Sequence, residues 1–362
     1  MKILQISSAA SFGGGERYVA DLANSLLARG HDVYAVLRPQ SPLIAHLKLD
    51  RERIKTLPLR NSLDVPSAHE LARFVAQQRI EIVHAHMARD YSLAAYAARR
   101  NRHAKFIVTR HVLFQMNRLH RHTLARAHRV IAVSHAVARE LTAQRIVGDG
   151  RLAVVPNGVD VDRFAITFDR AKFLQSIGVP ANVPLVGSIG ELRTLKRHDD
   201  FIRAAARVVS QFPETHFVLA GVDTSHSSDV HKHLEQLVVE TGLKERFRFL
   251  GWVEEAEKLL SAIDVFVSAS ETESFGLAIA EAMAAGTAVV ATATEGAREV
   301  IDDQETGLLV PIGDVGRIAE SIALLLSDGE RRRQIATCAR EAVNTRFSLT
   351  RMVDEIEQIY RA

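Results

Sequence analysis

Cysteine is almost absent. Cys338 stands alone among 362 residues, so no intrachain disulfide and no thiolate cluster for zinc can form. That usage suits a reducing, cytosolic compartment. Long apolar runs are also missing. None approaches the roughly 18 residues that would suggest a membrane-spanning helix. The opening MKILQISSAASFGGGE lacks the apolar core and cleavage pattern of a signal peptide and reads as a first strand. Peripheral membrane contact stays open. Neither a short-period repeat nor a low-complexity tract is found, which excludes solenoids and disordered arrays. A glycine is missing as well. Gly13 and Gly15 follow the first strand, but Tyr18 holds the third place of a G-x-G-x-x-G turn, and the second strand runs into Arg38 rather than an acid. A Rossmann-type dehydrogenase is thereby excluded.

What remains is an ordinary globular balance, 47% hydrophobic and 25% charged, in a chain long enough for more than one core. Charge is unevenly divided. Residues 1–165 carry 25 Lys and Arg against 13 Asp and Glu, and the rest carry 21 against 30. A basic half points to an anionic partner. Between Asp90 and Glu140 no acid occurs, and Arg99, Arg100, Arg102, Lys105, Arg110, Arg118, Arg121, Arg126 and Arg129 alternate with apolar Val112, Leu113, Phe114, Met116 and Leu119. Such a stretch suits an anionic lipid surface or a lipid-linked acceptor. It has no stacking aromatics or recognisable module for nucleic acid.

Apolar runs alternate with amphipathic stretches throughout. KILQIS, HDVYAVL, IEIVHAH, KFIVTRH, RVIAVSH and RLAVVPNGVD are separated by helical patterns, as in βαβ units on a parallel sheet. The series restarts after Phe164 with PLVGSIG, HFVLAG, RFRFLG, DVFVSAS, TAVVAT and GLLVP. Pro156, Gly158, Gly178, Pro180 and Pro184 punctuate the junction. The expectation is two doubly wound α/β domains with a cleft between them, ligands lying at the carboxyl ends of strands.

Residues 267–292, VSASETESFGLAIAEAMAAGTAVVAT, carry the strongest chemical signal. A buried strand ends in a polar turn, and Ser274-Phe275-Gly276 opens a helix of small residues at Leu277. A helix start offers unpaired N–H groups and the positive end of a dipole, a site for phosphate. Gly276 lets the backbone approach closely. Glu281, one turn on from Leu277, offers two acceptor oxygens to a ribose diol. Glu273, on the loop beside the phosphate site, can hold sugar hydroxyls.

The run E-S-F-G-x4-E followed by AMAAGTAVVAT resembles the signature of family 4 of the retaining glycosyltransferases. The likeness extends along nearly the whole chain, through Phe12-Gly-Gly-Gly-Glu16, IVHAH, VTRH, VIAVS, VPNGVDVDRF, SIGELRTLKR, EGAREVI and TGLLVPIGD. It implies a GT-B fold: residues 1–165 as the acceptor-side domain, with helix 346–362 packing back on it, and residues 166–345 as the donor domain. It implies transfer of a sugar, with retention, from a nucleotide-sugar, most often a UDP-sugar, to an envelope glycan such as lipopolysaccharide or a lipid-linked acceptor. A sugar-nucleotide epimerase and a non-catalytic sugar-nucleotide-binding protein are the competing readings.

By the same likeness Lys196 contacts the donor phosphates, Glu273 positions the sugar, and His111 lines the reaction centre. Gly14 and Gly15 form a close-approach loop. Many relatives carry an Arg where Glu191 stands here, and Arg193 or the amides of Phe275 to Leu277 are expected to replace it. His84, His86 and Glu299 are weaker candidates. Positive charge at the departing diphosphate removes the need for a metal. Asp160-Val-Asp162 has the spacing of a metal site but belongs to the NGVD linker, and His120-Arg-His122 lacks clustered acids.

Overall fold

The computed structural model describes residues 1–362 except Asn117, Asp149, His226 and Ser227; the side chains of Arg118 and Leu119 also lie outside the described residues. The chain forms two compact units, residues 1–158 with 349–362, and residues 159–348.

The first unit holds a seven-stranded parallel sheet of β1 (Lys2–Ser7), β2 (Asp32–Leu37), β3 (Ile54–Thr56), β4 (Ile82–Ala85), β5 (Lys105–Arg110), β6 (Arg129–Ala132) and β7 (Leu152–Val154), in the order 3-2-1-4-5-6-7. β1 and β4 are buried along nearly their full length, as expected for strands covered on both faces. The edge strand β3 escapes sequence reading because it has only three residues, none of them buried. The last helix, Leu349–Arg361, completes this core with Met352, Val353, Ile356 and Tyr360. Arg29 bonds Asp354 at 2.6 Å and His31 bonds Glu357 at 2.6 Å. Lys105 caps the helix by donating to the Tyr360 and Arg361 carbonyls.

The second unit holds a six-stranded parallel sheet of β8 (Leu185–Ile189), β9 (His216–Ala220), β10 (Phe247–Gly251), β11 (Val265–Ser268), β12 (Ala288–Thr292) and β13 (Leu308–Val310), in the order 10-9-8-11-12-13. Its boundaries fall at 158/159 and 348/349 rather than 165/166 and 345/346. Val159 and Phe164 are buried in this unit's core, and the Val159 amide donates to the Phe347 carbonyl at 2.8 Å.

Two expectations are corrected. Gly14 and Gly15 are not a loop but the first residues of the helix Gly14–Ala28. The helix starts this early because Glu16 reaches back to the Gly13 amide at 3.0 Å, a capping-box contact. The basic-apolar stretch is also not one surface. Arg99, Arg100 and Arg102 precede the amino end of β5, whereas the exposed Val112 and Phe114 follow its carboxyl end. Arg110 is buried and donates to the Phe114 carbonyl. Among the described residues no helix is long and apolar enough to cross a membrane.

Candidate functional site

In the second sheet the strand order reverses between β8 and β11, which pair side by side. At such a switch point the connections leave in opposite directions and open a crevice at the carboxyl ends. Lys196 follows β8, and the turn Ser270–Gly276 follows β11. The site is therefore built where the topology alone would put it.

Lys196 and Glu273 are brought together: Nζ lies 2.6 Å from Oε1, which also accepts from the Ser270 hydroxyl at 2.7 Å. Both side chains are partly exposed, at 28% and 15%, so the pair can still meet a ligand. The Glu271 amide donates to the Leu195 carbonyl at 2.9 Å, tying the two loops to each other. The Thr292 hydroxyl donates to the Ser270 carbonyl at 2.5 Å. Gly296 donates to the Glu273 carbonyl at 3.1 Å, and a Cβ there would stand 2.6 Å from that same oxygen. The buried His198 bonds the Glu191 carbonyl at 3.2 Å, and burial pushes its imidazole down to about 4. A neutral ring can make that bond only as the Nε2–H donor.

Gly276 has φ +94°, a conformation natural only to glycine, and opens the helix Leu277–Ala284. The amides of Leu277 and its neighbours lack intrahelical acceptors. Ser274 lies half-buried in the turn. The Phe275 side chain is buried edge-on against Phe347, with ring centres 5.4 Å apart, so only its backbone is open to a ligand role. Glu281 lies 3.4 Å from Arg163, whose Nε is 3.6 Å from Glu257 and whose guanidinium lies over the Phe164 ring. Arg193 does not join Lys196 and Glu273. It is half-exposed and pairs with Glu191 at 3.4 Å.

The glycine helix and the histidines lie in the first unit. His111 directly follows β5, and its Nε2 lies 3.4 Å from His86 Nδ1. His86 Nε2 lies 2.7 Å from Gln5 Oε1. His84 bonds the Tyr360 hydroxyl at 2.6 Å through Nδ1 and the Thr109 hydroxyl at 2.7 Å through Nε2. Burial holds all three imidazoles far below their ordinary range, His84 and His111 at about 3, with His111 and Arg110 as the respective secondary causes. Asp90, fully buried, accepts the Ser8 amide at 2.8 Å and is pushed up to about 7 by desolvation.

Sequence reasoning missed Arg163, Ser270, His198, Gly296, Gln5 and Tyr360. The period-two pairs His84/His86 and Thr109/His111 were its available clue, since alternate strand residues share a face. The partners come from distant segments.

Residues 12–163 match the family described as glycosyltransferase family 4, and residues 169–342 the glycosyl transferases group 1. The two matches together take in most of the chain. It is 27% identical to the N-acetyl-alpha-D-glucosaminyl L-malate synthase of Bacillus anthracis, over 97% of this chain and 94% of that one. It is 28% identical to the lipopolysaccharide core biosynthesis glycosyltransferase LpsE of Rhizobium meliloti, over 96% and 95%. A glycosyltransferase from Rickettsia africae superposes with TM-score 0.88 at 25% identity, covering 99% of this chain and 97% of that one. Anabaena HepE in complex with UDP-glucose superposes with TM-score 0.88 at 23% identity, over 99% and 98%.

Proposed function

Since the chain belongs to the group 1 glycosyltransferases and has their GT-B fold, we propose that it moves a sugar from a UDP-sugar to an envelope glycan or lipid-linked acceptor, with retention and without a metal. The observation that carries this reading is the Lys196–Glu273 pair at the β8/β11 switch point, beside a helix start opened by Gly276. A donor diphosphate brings about two negative charges to the helix amides and draws the Lys196 ammonium away from a single carboxylate. Glu273, so released, accepts hydroxyls of the sugar. Glu281 accepts the ribose diol while Arg163 holds its other side. Lys196 and the helix amides then neutralise charge growing on the leaving diphosphate. That oxygen, on the same face as the acceptor hydroxyl, takes its proton. His111 and the helix start at Gly14 and Gly15 serve the acceptor side. Arg193, already committed to Glu191, is a secondary phosphate contact at most.

LpsE acts in lipopolysaccharide core biosynthesis, which supports an envelope acceptor, and HepE holds UDP-glucose, which makes that donor the first probe. Calorimetry with UDP-, GDP-, ADP- and dTDP-sugars tests the donor. UDP-sugar binding that weakens about 10- to 100-fold in Glu281→Ala is expected, and binding of none of the four refutes the reading. Proton NMR of the product decides stereochemistry, an inverted anomer refuting retention. Undiminished transfer in EDTA is expected for a metal-free reaction. A cytoplasmic enzyme working at the inner membrane face binds anionic vesicles through exposed basic side chains such as Arg99, Arg100 and Arg102 in a salt-sensitive manner, and binding indifferent to anionic lipid speaks against that location.

A further inference from the structure

The hydrogen bonds behind His111 form an unbroken buried line. His111 Nε2 meets His86 Nδ1 at 3.4 Å, and His86 Nε2 meets Gln5 Oε1 at 2.7 Å. Gln5 Nε2 then meets the Tyr360 hydroxyl at 3.4 Å, Tyr360 meets His84 Nδ1 at 2.6 Å, and His84 Nε2 meets Thr109 Oγ1 at 2.7 Å. Gln5, His84, His86, Thr109 and Tyr360 are all buried.

Each link fixes the next, because a neutral imidazole has one donor and one acceptor nitrogen. Burial keeps these rings neutral. Gln5 Oε1 can only accept, so His86 carries its proton on Nε2 and offers Nδ1 as a lone pair. His111 must then donate through Nε2, which leaves Nδ1 as its basic nitrogen. On the other arm the Gln5 amide donates to Tyr360, Tyr360 donates to His84 Nδ1, and His84 donates to Thr109. One primary amide on β1 sets the direction of every bond. Turning that amide over would reverse the whole line and move the His111 proton to Nδ1.

We propose that Gln5 is a positioning residue: acting through His86, it holds His111 as the Nε2–H tautomer, so that the imidazole meets a sugar or acceptor hydroxyl as a hydrogen-bond acceptor at Nδ1. The inference rests on the reading of His111 as a group lining the reaction centre. Its structural half, the tautomer, is measurable without any substrate.

The test is long-range 1H–15N correlation NMR of the 15N-labelled full chain, which separates protonated from unprotonated ring nitrogens. His111 is assigned by the signals lost in His111→Gln. The wild type is expected to show His111 protonated at Nε2. Gln5→Glu keeps this pattern, because a carboxyl group in either protonation state offers His86 an acceptor. Gln5→Met, or Gln5→Leu if that variant folds better, loses it and shows mixed tautomers. In transfer assays Gln5→Met lowers kcat roughly tenfold, as for other groups that orient an imidazole from behind, with donor KM unchanged and Gln5→Glu restoring kcat. An Nδ1–H His111 in the wild type, an unchanged tautomer in Gln5→Met and Gln5→Leu, or equal losses in the Glu and Met variants overturns the proposal. Absence of UDP-sugar binding refutes the donor assignment instead, and leaves the tautomer result standing.

Discussion

An ammonium held 2.6 Å from one carboxylate is available to anything more negative. Lys196 is therefore expected to matter more for turnover than for folding. Lys196→Ala should lower kcat by about 100- to 1000-fold, the usual cost of removing one group that stabilises a developing anion. Its urea midpoint should move little, since the pair it breaks is partly solvated. Glu281 is the opposite case. Glu281→Ala removes a charged acceptor and leaves Arg163 to Glu257. Donor affinity should fall by about 10- to 100-fold in a calorimetric titration, with kcat at saturating donor less affected. At Gly276 the φ of +94° is unfavourable to any side chain, and an added methyl would stand only 3.1 Å from an Ile279 carbon. Gly276→Ala should cost about 1–2 kcal/mol in chemical denaturation.

At the level of elements, the turn after β11 is gripped from two sides, by the Leu195 carbonyl and by Gly296. Gly296→Ala would press a methyl onto the Glu273 carbonyl and the Phe275 amide, at 2.6 and 2.7 Å. The turn must shift, at about 1–3 kcal/mol, and UDP-sugar binding in calorimetry should weaken although no ligand-facing side chain has changed. The parallel sheets were legible in the sequence because each buried strand is an apolar run with a helical stretch after it. The Glu273–Glu281 spacing was legible because a short turn and the helix it opens, Leu277–Ala284, carry the two residues in one contiguous segment. Arg163 was not, since it lies 118 residues before the carboxylate it meets. Nor was the early helix start at Gly14, where three glycines suggest a loop and one well-placed Glu16 outweighs them. The basic stretch misled for a geometric reason: β5 separates its two parts, one before its amino end and one after its carboxyl end. β5 spans six residues, about 20 Å at ~3.3 Å per residue.

Taken whole, the molecule keeps more imidazoles in dry surroundings than its stability can tolerate in acid. His84, His86, His111 and His198 have folded-state pKa values well below 6.5, whereas the unfolded chain titrates near that value. Their contribution is complete above pH 6.5 and is lost as pH falls toward 3–4. Asp90, raised to about 7, has the opposite sign and weakens the fold as pH rises from 4 to 7. One carboxyl is outnumbered by four rings. Denaturation free energy should drop between pH 6.5 and 5 with a slope of several protons, each worth roughly 1.4 kcal/mol per pH unit, and urea titrations at stepped pH will show it. The return of the last helix to the first unit also bears on synthesis. Residues 1–158 leave the ribosome well before Met352, Ile356 and Tyr360 exist. At ordinary elongation rates the delay is roughly 10–40 s. During that interval the nascent amino-terminal unit has an uncovered apolar face and a His84 without its Tyr360 hydroxyl, so the half made first is the half finished last.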